Sequence, residues 1–182
     1  QARFIDGLAS RKTHVAVGVS DAVGASLRGS VVQGACDVKV ILNGVDTGLH
    51  SPLADDGRLR AELGLSPDTP ILGSIGRLEH IKGYDYMVEA FARLRAGWTV
   101  GAPPVLVIAG DGSERQRLER RARDGGVEGS IWFLGWRDDV RSLLSAFQVF
   151  TMSSRSEGTS VSLLEAMSTG LCPVVTDVGG NA

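Results

Sequence analysis

The chain has 182 residues, of which 43 % are hydrophobic, and its formal net charge is −2. That length holds one full domain and part of another, and the near balance of charge argues against a general affinity for nucleic acid. No apolar run reaches the roughly 20 residues that a membrane helix needs. The two cysteines, Cys36 and Cys172, share no metal or redox spacing and are expected to be buried free thiols of a reducing compartment. The 24 glycines exceed the usual share of about 7 % and cluster after apolar runs, where α/β proteins place ligand-binding turns. The chain starts at Gln1 and stops at Gly179-Gly180-Asn181-Ala182, which reads as a piece of a longer protein.

Residues 1–12 are mixed in character and are expected to form the end of a helix. His14 to Ser20 (HVAVGVS) reads as a short buried strand, with Ser20 or Asp21 capping a helix that runs through Leu27. Val38 to Leu42 is a second strand, closed by Asn43-Gly44, a strong turn dipeptide. Residues 45–68 are irregular apart from a helical piece around Gly57 to Leu63, as expected of a crossing between domains. Residues 1–47 are therefore assigned to the tail of one domain plus linker, and 48–182 to a second.

From Thr69 the pattern becomes regular. Ile71 to Ile75 is a strand, and Tyr84, Met87, Val88, Phe91 and Leu94 recur at helical spacing. Val105 to Ala109 is a strand, Ser113 to Asp124 a charged helix with a solvated face, and Ile131 to Leu134 a strand. Val140, Leu143, Leu144 and Phe147 form another helical stripe; Val149 to Met152 is a strand, 161–169 a helix and Pro173 to Thr176 a strand. Strands this apolar are covered on both faces, so the fold class is α/β with a Rossmann-like, doubly wound parallel sheet. Ligands on such sheets bind beyond the carboxyl ends of the strands, which directs attention to the loops there.

After Ile75 the loop reads GRLEHIKG. Arg77 and Lys82 bracket the start of a helix, where two cations suit a diphosphate, Arg gripping two oxygens and Lys supplying a point charge. His80 reads as an exposed loop histidine, and the spacing is neither a dinucleotide fingerprint nor a P-loop. Gly110-Asp111-Gly112 permits backbone approach to a ligand. Gly135-Trp136-Arg137 lies where a base would stack, although Trp136 equally fits a packing role. After Met152 comes Glu157, a small polar run from Gly158 through Thr159 and Ser160, and Glu165, with seven residues between the two acids. Carboxylates accept hydrogen bonds from vicinal hydroxyls, and a helix start attracts phosphate. The set suits a nucleotide-sugar. The alternative is structural: Ser162-Leu163-Leu164-Glu165 also fits a capping box.

The segments VILNGVD (40–46), SIGRLEHIKGYDYMVEAFARL (74–94), VLVIAGDGSERQRLE (105–119) and 133–180 resemble, in order, the C-terminal half of the retaining GT-B glycosyltransferases of family 4, also called glycosyl transferases group 1. The Glu-x7-Glu element with its Glu-Ala-Met continuation is the specific part. The resemblance implies transfer of a sugar from a nucleotide diphosphate donor, with retention, to a glycan, lipid or small-molecule acceptor. It implies that Arg77 and Lys82 hold the diphosphate as it leaves, Glu157 the sugar hydroxyls and Glu165 the ribose. Gly158, Thr159, Ser160 and Val161 would offer backbone N–H groups, and Gly76, Gly135 and Trp136 would border the donor. No Asp-x-Asp occurs in the chain, so no metal or other cofactor is expected. The family usually has Phe-Gly or a similar pair after the first Glu; Gly158-Thr159-Ser160-Val161 departs from it, and the two hydroxyls are expected to bear on sugar preference. The acceptor side would lie on an N-terminal domain, leaving this half weak or inactive alone. A cytoplasmic location, with contact to the inner membrane face, is the corresponding expectation. A sugar-nucleotide epimerase of the same architecture and a non-catalytic nucleotide-sugar-binding module are the alternatives.

Overall fold

The computed structural model describes residues 13–29 and 36–181; the helix end expected in residues 1–12 lies outside them. The chain divides into two compact units, Gln1–Gly44 with Ser156–Val161 and Asp177–Ala182, and Val45–Arg155 with Ser162–Thr176.

In the first unit, β1 (Val15–Gly18) and β2 (Asp37–Val40) pair in parallel, Val15 opposite Asp37. The helix α1 (Asp21–Gly29) connects them in the chain. Ser20 caps it: its hydroxyl accepts from the Val23 N–H at 3.2 Å, and its carbonyl accepts from Gly24 at 2.9 Å. The expectation of a buried first strand is corrected, since Val15 and Val17 are 44 % and 49 % exposed. A pair of strands buries only the face that a neighbouring element covers, unlike the centre of a larger sheet.

Asn43-Gly44 forms no turn. The turn lies at 47–49 and is made by Asp46, whose Oδ1 accepts from the N–H groups of Gly48 and Leu49 at 2.9 and 3.1 Å. The Asn43 side chain instead donates to the Thr159 carbonyl at 2.9 Å. A long-range bond has displaced the local use of the amide, and the short Asp side chain takes over the turn.

The second unit is the regular one. Its strands are β3 (Ile71–Ile75), β4 (Val105–Ala109), β5 (Ile131–Gly135), β6 (Val149–Met152) and β7 (Cys172–Val175). All pairings are parallel and the order is β5-β4-β3-β6-β7, so the chain winds outward from β3 in one direction and then in the other. The helices are α2 (Arg58–Leu63), α3 (Tyr84–Ala96), α4 (Arg115–Asp124), α5 (Val140–Ala146) and α6 (Val161–Ser168). Alternation along β4 shows why both faces are apolar. Val105, Val107 and Ala109 join a core with Leu143, Leu144 and Phe147, whereas Leu106 and Ile108 join one with Val88, Phe91 and Leu118. On α4 only Leu118 and Ala122 are buried, and its arginines lie on a solvated face.

The edge strand departs from expectation. Cys172 is exposed, Cys36 is only half-buried, and Val174 is 61 % exposed, so neither thiol is a core residue. Cys172 opens the edge strand β7, and Cys36 precedes β2 outside any strand or helix, so position and not polarity sets this exposure. Near the other edge, Arg137 grips Asp139 through two bonds of 2.7 Å and reaches Glu62 with a third of 2.7 Å, tying α2 to the start of α5.

Two stability predictions follow from this packing. A Cβ on Gly73 would lie 1.9 Å from the buried ring of Phe147, so Gly73→Ala should destabilise by about 1–3 kcal/mol, read as a thermal midpoint lowered by about 2–4 °C per kcal/mol. The Arg137 guanidinium, chiefly by hydrogen bonding, holds the Asp139 carboxyl below its ordinary 3.8. A depressed carboxylate adds stability that is complete above the unfolded value and is lost as pH falls through the folded one. Asp139→Asn should therefore flatten the loss of thermal stability below pH 3.8 relative to the unaltered chain, checked by melting curves from neutral to acid pH.

Candidate functional site

Beyond the carboxyl ends of β3, β4 and β5 the backbones stay in contact. Gly76 N–H donates to the Ala109 carbonyl at 3.0 Å, Gly110 N–H to Gly135 at 2.7 Å, and Leu78 N–H to Asp111 at 2.9 Å. At Gly110 the approach leaves no room for a side chain. Gly110 has φ 139°, and a Cβ there would lie 2.0 Å from the Gly76 carbonyl oxygen. Side chains are thus kept out of the space between the loops, and a cavity of about 340 Å³ opens there, bordered by Gly76, Arg77, Gly110, Asp111, Trp136 and Arg137.

The cavity holds Arg77, Gly76 and Trp136 of the sequence-predicted set, with Gly135 supplying the carbonyl that holds Gly110. Arg77 is exposed and its side chain forms no ion pair among the described residues. Arg137, its neighbour on the rim, is engaged by Asp139 and Glu62 and so is a strut. Trp136 is 81 % exposed, which removes the packing reading and leaves a flat ring open to a planar ligand. Among the described residues no group of three or more His, Cys, Asp or Glu is arranged to hold a metal ion.

Lys82 ends a 3-10 turn, His80–Lys82, and Gly83 then opens α3. His80 is exposed, in line with a loop residue. Glu165 lies on α6, its Oε1 3.6 Å from Nε2 of His50. The helix begins at Val161, so Ser162 falls inside the first turn and the capping-box frame does not apply. His50 was not singled out in the sequence; it lies within the irregular 45–68 crossing, where no periodicity points to a contact.

The segment Ser156–Val161 belongs to the first unit and is fixed within it by its backbone. Thr159 Oγ1 donates to the Val19 carbonyl at 2.8 Å, Asn43 donates to the Thr159 carbonyl, and Gly180 N–H donates to the Gly158 carbonyl at 3.0 Å. Glu157 is half-buried, Ser160 is buried, and Val161 is 46 % exposed. Val19 holds this segment through its backbone carbonyl, and Asn43, whose local sequence reads as a turn, holds it through its side chain.

A larger cavity, about 450 Å³, runs along the sheet face beside α3 and is lined by apolar groups such as Phe91, Leu94, Leu106 and Val174. Its lining holds no cationic side chain to offer a phosphate. The smaller, glycine-walled cavity is the better candidate because it has a cation and an open aromatic ring at the ends of parallel strands.

The chain is 39 % identical over 140 residues to the lipopolysaccharide core biosynthesis glycosyltransferase LpsE of Rhizobium meliloti, a match covering 77 % of this chain and 37 % of that protein. It is 34 % identical over 146 residues to the UDP-Gal:alpha-D-GlcNAc-diphosphoundecaprenol alpha-1,3-galactosyltransferase of Escherichia coli, covering 79 % and 38 %. The crystal structure of Anabaena Alr3699/HepE in complex with UDP and glucose superimposes with a TM-score of 0.80 at 25 % identity, over 98 % of this chain and 48 % of that one. The chain thus spans under half the length of each of these three proteins. The family model for glycosyl transferases group 1 matches residues 55–182. With its five-stranded parallel sheet and GT-B neighbours, the chain belongs to the glycosyl transferases group 1 family.

Proposed function

We propose that this chain is the donor-binding half of a retaining glycosyltransferase, which takes a hexose from a nucleotide diphosphate donor and passes it to an acceptor hydroxyl. The observation that carries the proposal is the glycine-walled cavity beyond β3, β4 and β5, with Arg77 and Trp136 on its rim. Trp136 and the Gly135 loop border the base. Arg77, with Lys82 at the start of α3, neutralises the diphosphate as the leaving group gains charge. Glu165 accepts from the ribose hydroxyls and Glu157 from those of the sugar, while Gly158, Thr159, Ser160 and Val161 contribute backbone around it. Positive side chains and the α6 dipole perform the electrostatic work without a metal ion. The Anabaena neighbour was solved with UDP and glucose, which supports a donor of this chemistry.

The first 47 residues belong, in this reading, to the tail of an acceptor-side domain, so the chain alone binds donor but turns over weakly. The relatives' names concern lipopolysaccharide and a diphosphoundecaprenol substrate, which supports work at the cytoplasmic face of a membrane on a glycan or lipid acceptor. No helix among the described residues is long and apolar enough to cross a membrane, and the contact proposed is a peripheral one.

Calorimetry on the chain with UDP, GDP and ADP tests the donor reading. One of them should bind, and EDTA should leave the affinity unchanged. Arg77→Ala and Lys82→Ala should each weaken binding about 10- to 100-fold, as loss of a charge-assisted bond of about 1.5–3 kcal/mol requires. Folded chain that binds none of the three would refute the proposal. In the full-length protein, Glu157→Ala should lower kcat/KM for the nucleotide-sugar at least about 10-fold; an unchanged rate would remove Glu157 from the reaction.

A further inference from the structure

The turn that carries Lys82 is short and is held from outside. A 3-10 turn has only i to i+3 bonds and leaves its last carbonyls in need of donors. Within the turn, Lys82 N–H donates to the Glu79 carbonyl at 2.9 Å and Gly83 N–H to His80 at 3.1 Å. The remaining support comes from the chain just after β6. The Arg155 backbone N–H donates to the Ile81 carbonyl at 2.8 Å, and its Nη1 donates to the His80 carbonyl at 2.6 Å. Its Nη2 donates to Asp85 Oδ2 at 2.7 Å, and its Cζ lies 4.3 Å from the centroid of the Tyr86 ring. Ser153 Oγ donates to the Gly83 carbonyl at 2.8 Å.

The approach is too close for any other residue at 83. Gly83 has φ 62°, and a Cβ would lie 2.1 Å from the Ser153 carbonyl oxygen. One guanidinium therefore spans the turn, with one N–H donated to the His80 carbonyl and one to Asp85, in the first turn of α3. The Asp85 side chain is only 12 % exposed, so without Arg155 it would be a nearly buried, unpaired charge. Arg155 points its fork at protein acceptors, not at the cavity, so a direct contact with donor is not its part.

We propose that Arg155 is a positioning residue of the donor site, fixing the turn that presents Lys82 to the donor's phosphates. The inference rests on the reading of Lys82 given above. A lysine at 155 would keep the charge but lose the planar fork that bridges two acceptors.

The test is a cycle of variants of the chain, titrated with UDP, GDP and ADP. Arg155→Lys should weaken diphosphate binding about 10-fold and speed hydrogen exchange of the amides at 80–83, with circular dichroism unchanged. Adding Arg155→Lys to Lys82→Ala should weaken binding no further than Lys82→Ala does alone, because both act through one contact. Asp85→Ala removes the other end of the bridge and should weaken binding as Arg155→Lys does, so the question stays answerable if the lysine variant does not fold. If Lys82→Ala binds like the unaltered chain, or that chain binds none of the three, the Lys82 reading fails and this inference with it. If Lys82→Ala is weak while Arg155→Lys or Asp85→Ala binds normally, the inference alone fails. Losses that simply add in the double variant overturn it as well, since Arg155 would then act independently of Lys82.

Discussion

Close backbone approach at the carboxyl ends of the strands is the constraint on which the rest of the second unit depends. At Gly110, Gly112 and Gly83 a Cβ would lie 2.0, 2.5 and 2.1 Å from the carbonyl oxygen of Gly76, Leu78 and Ser153, respectively. In each case the clash is with backbone, which cannot swing aside as a flexible side chain would. These contacts bring the loops after β3, β4 and β6 together with nothing larger than hydrogen between them. The glycine-walled cavity lies beside the first of these approaches, bordered by Gly76 and Gly110 and with Arg77 and Arg137 on its rim.

Electrostatics then sorts the arginines. Arg115 is paired with Glu119 and donates to the Phe133 carbonyl at 3.0 Å, Arg121 is paired with Glu89, and Arg137 with Glu62 and Asp139. Exposed pairs of this kind are worth on average about 0–1 kcal/mol each, so they matter here less for stability than for what they occupy. Their guanidinium groups already face carboxylates, whereas the side chain of Arg77 faces none among the described residues. A basic residue is useful to an anionic ligand only where its charge is not already neutralised, and this separates Arg77 from arginines of the same composition nearby.

Much of the second unit was legible because its signals are local. Apolar runs gave β3 to β6, and the helical stripe of Tyr84, Met87, Val88, Phe91 and Leu94 gave α3, with all of its members buried except Leu94, which is 38 % exposed. Turn chemistry was less reliable. Asn43-Gly44 has the composition of a tight turn, yet its amide bonds a carbonyl 116 residues away, which no local pattern encodes. The thiol of Cys172 looked like a core group by type, but edge position decides exposure and depends on strand order. Arg155 and His50 were invisible for the same reason: their partners lie 70 or more residues off, at Asp85 and Glu165.

Thr159 shows how the structure alters the weight of a motif. Read as sequence, its hydroxyl sits in the loop between two acids and invites a role in sugar choice. In the structure its proton goes to the Val19 carbonyl, and its own carbonyl takes the Asn43 amide. A hydroxyl has one proton to donate, so Thr159 cannot also donate to a sugar without releasing Val19. Gly158 is held likewise: its carbonyl accepts from Gly180, and a Cβ there would meet the Val19 side chain at 2.7 Å. The run after Glu157 is therefore built to hold the backbone in one path. On the proposed donor reading, sugar choice would therefore not fall to the Thr159 hydroxyl, whose one proton is held by Val19.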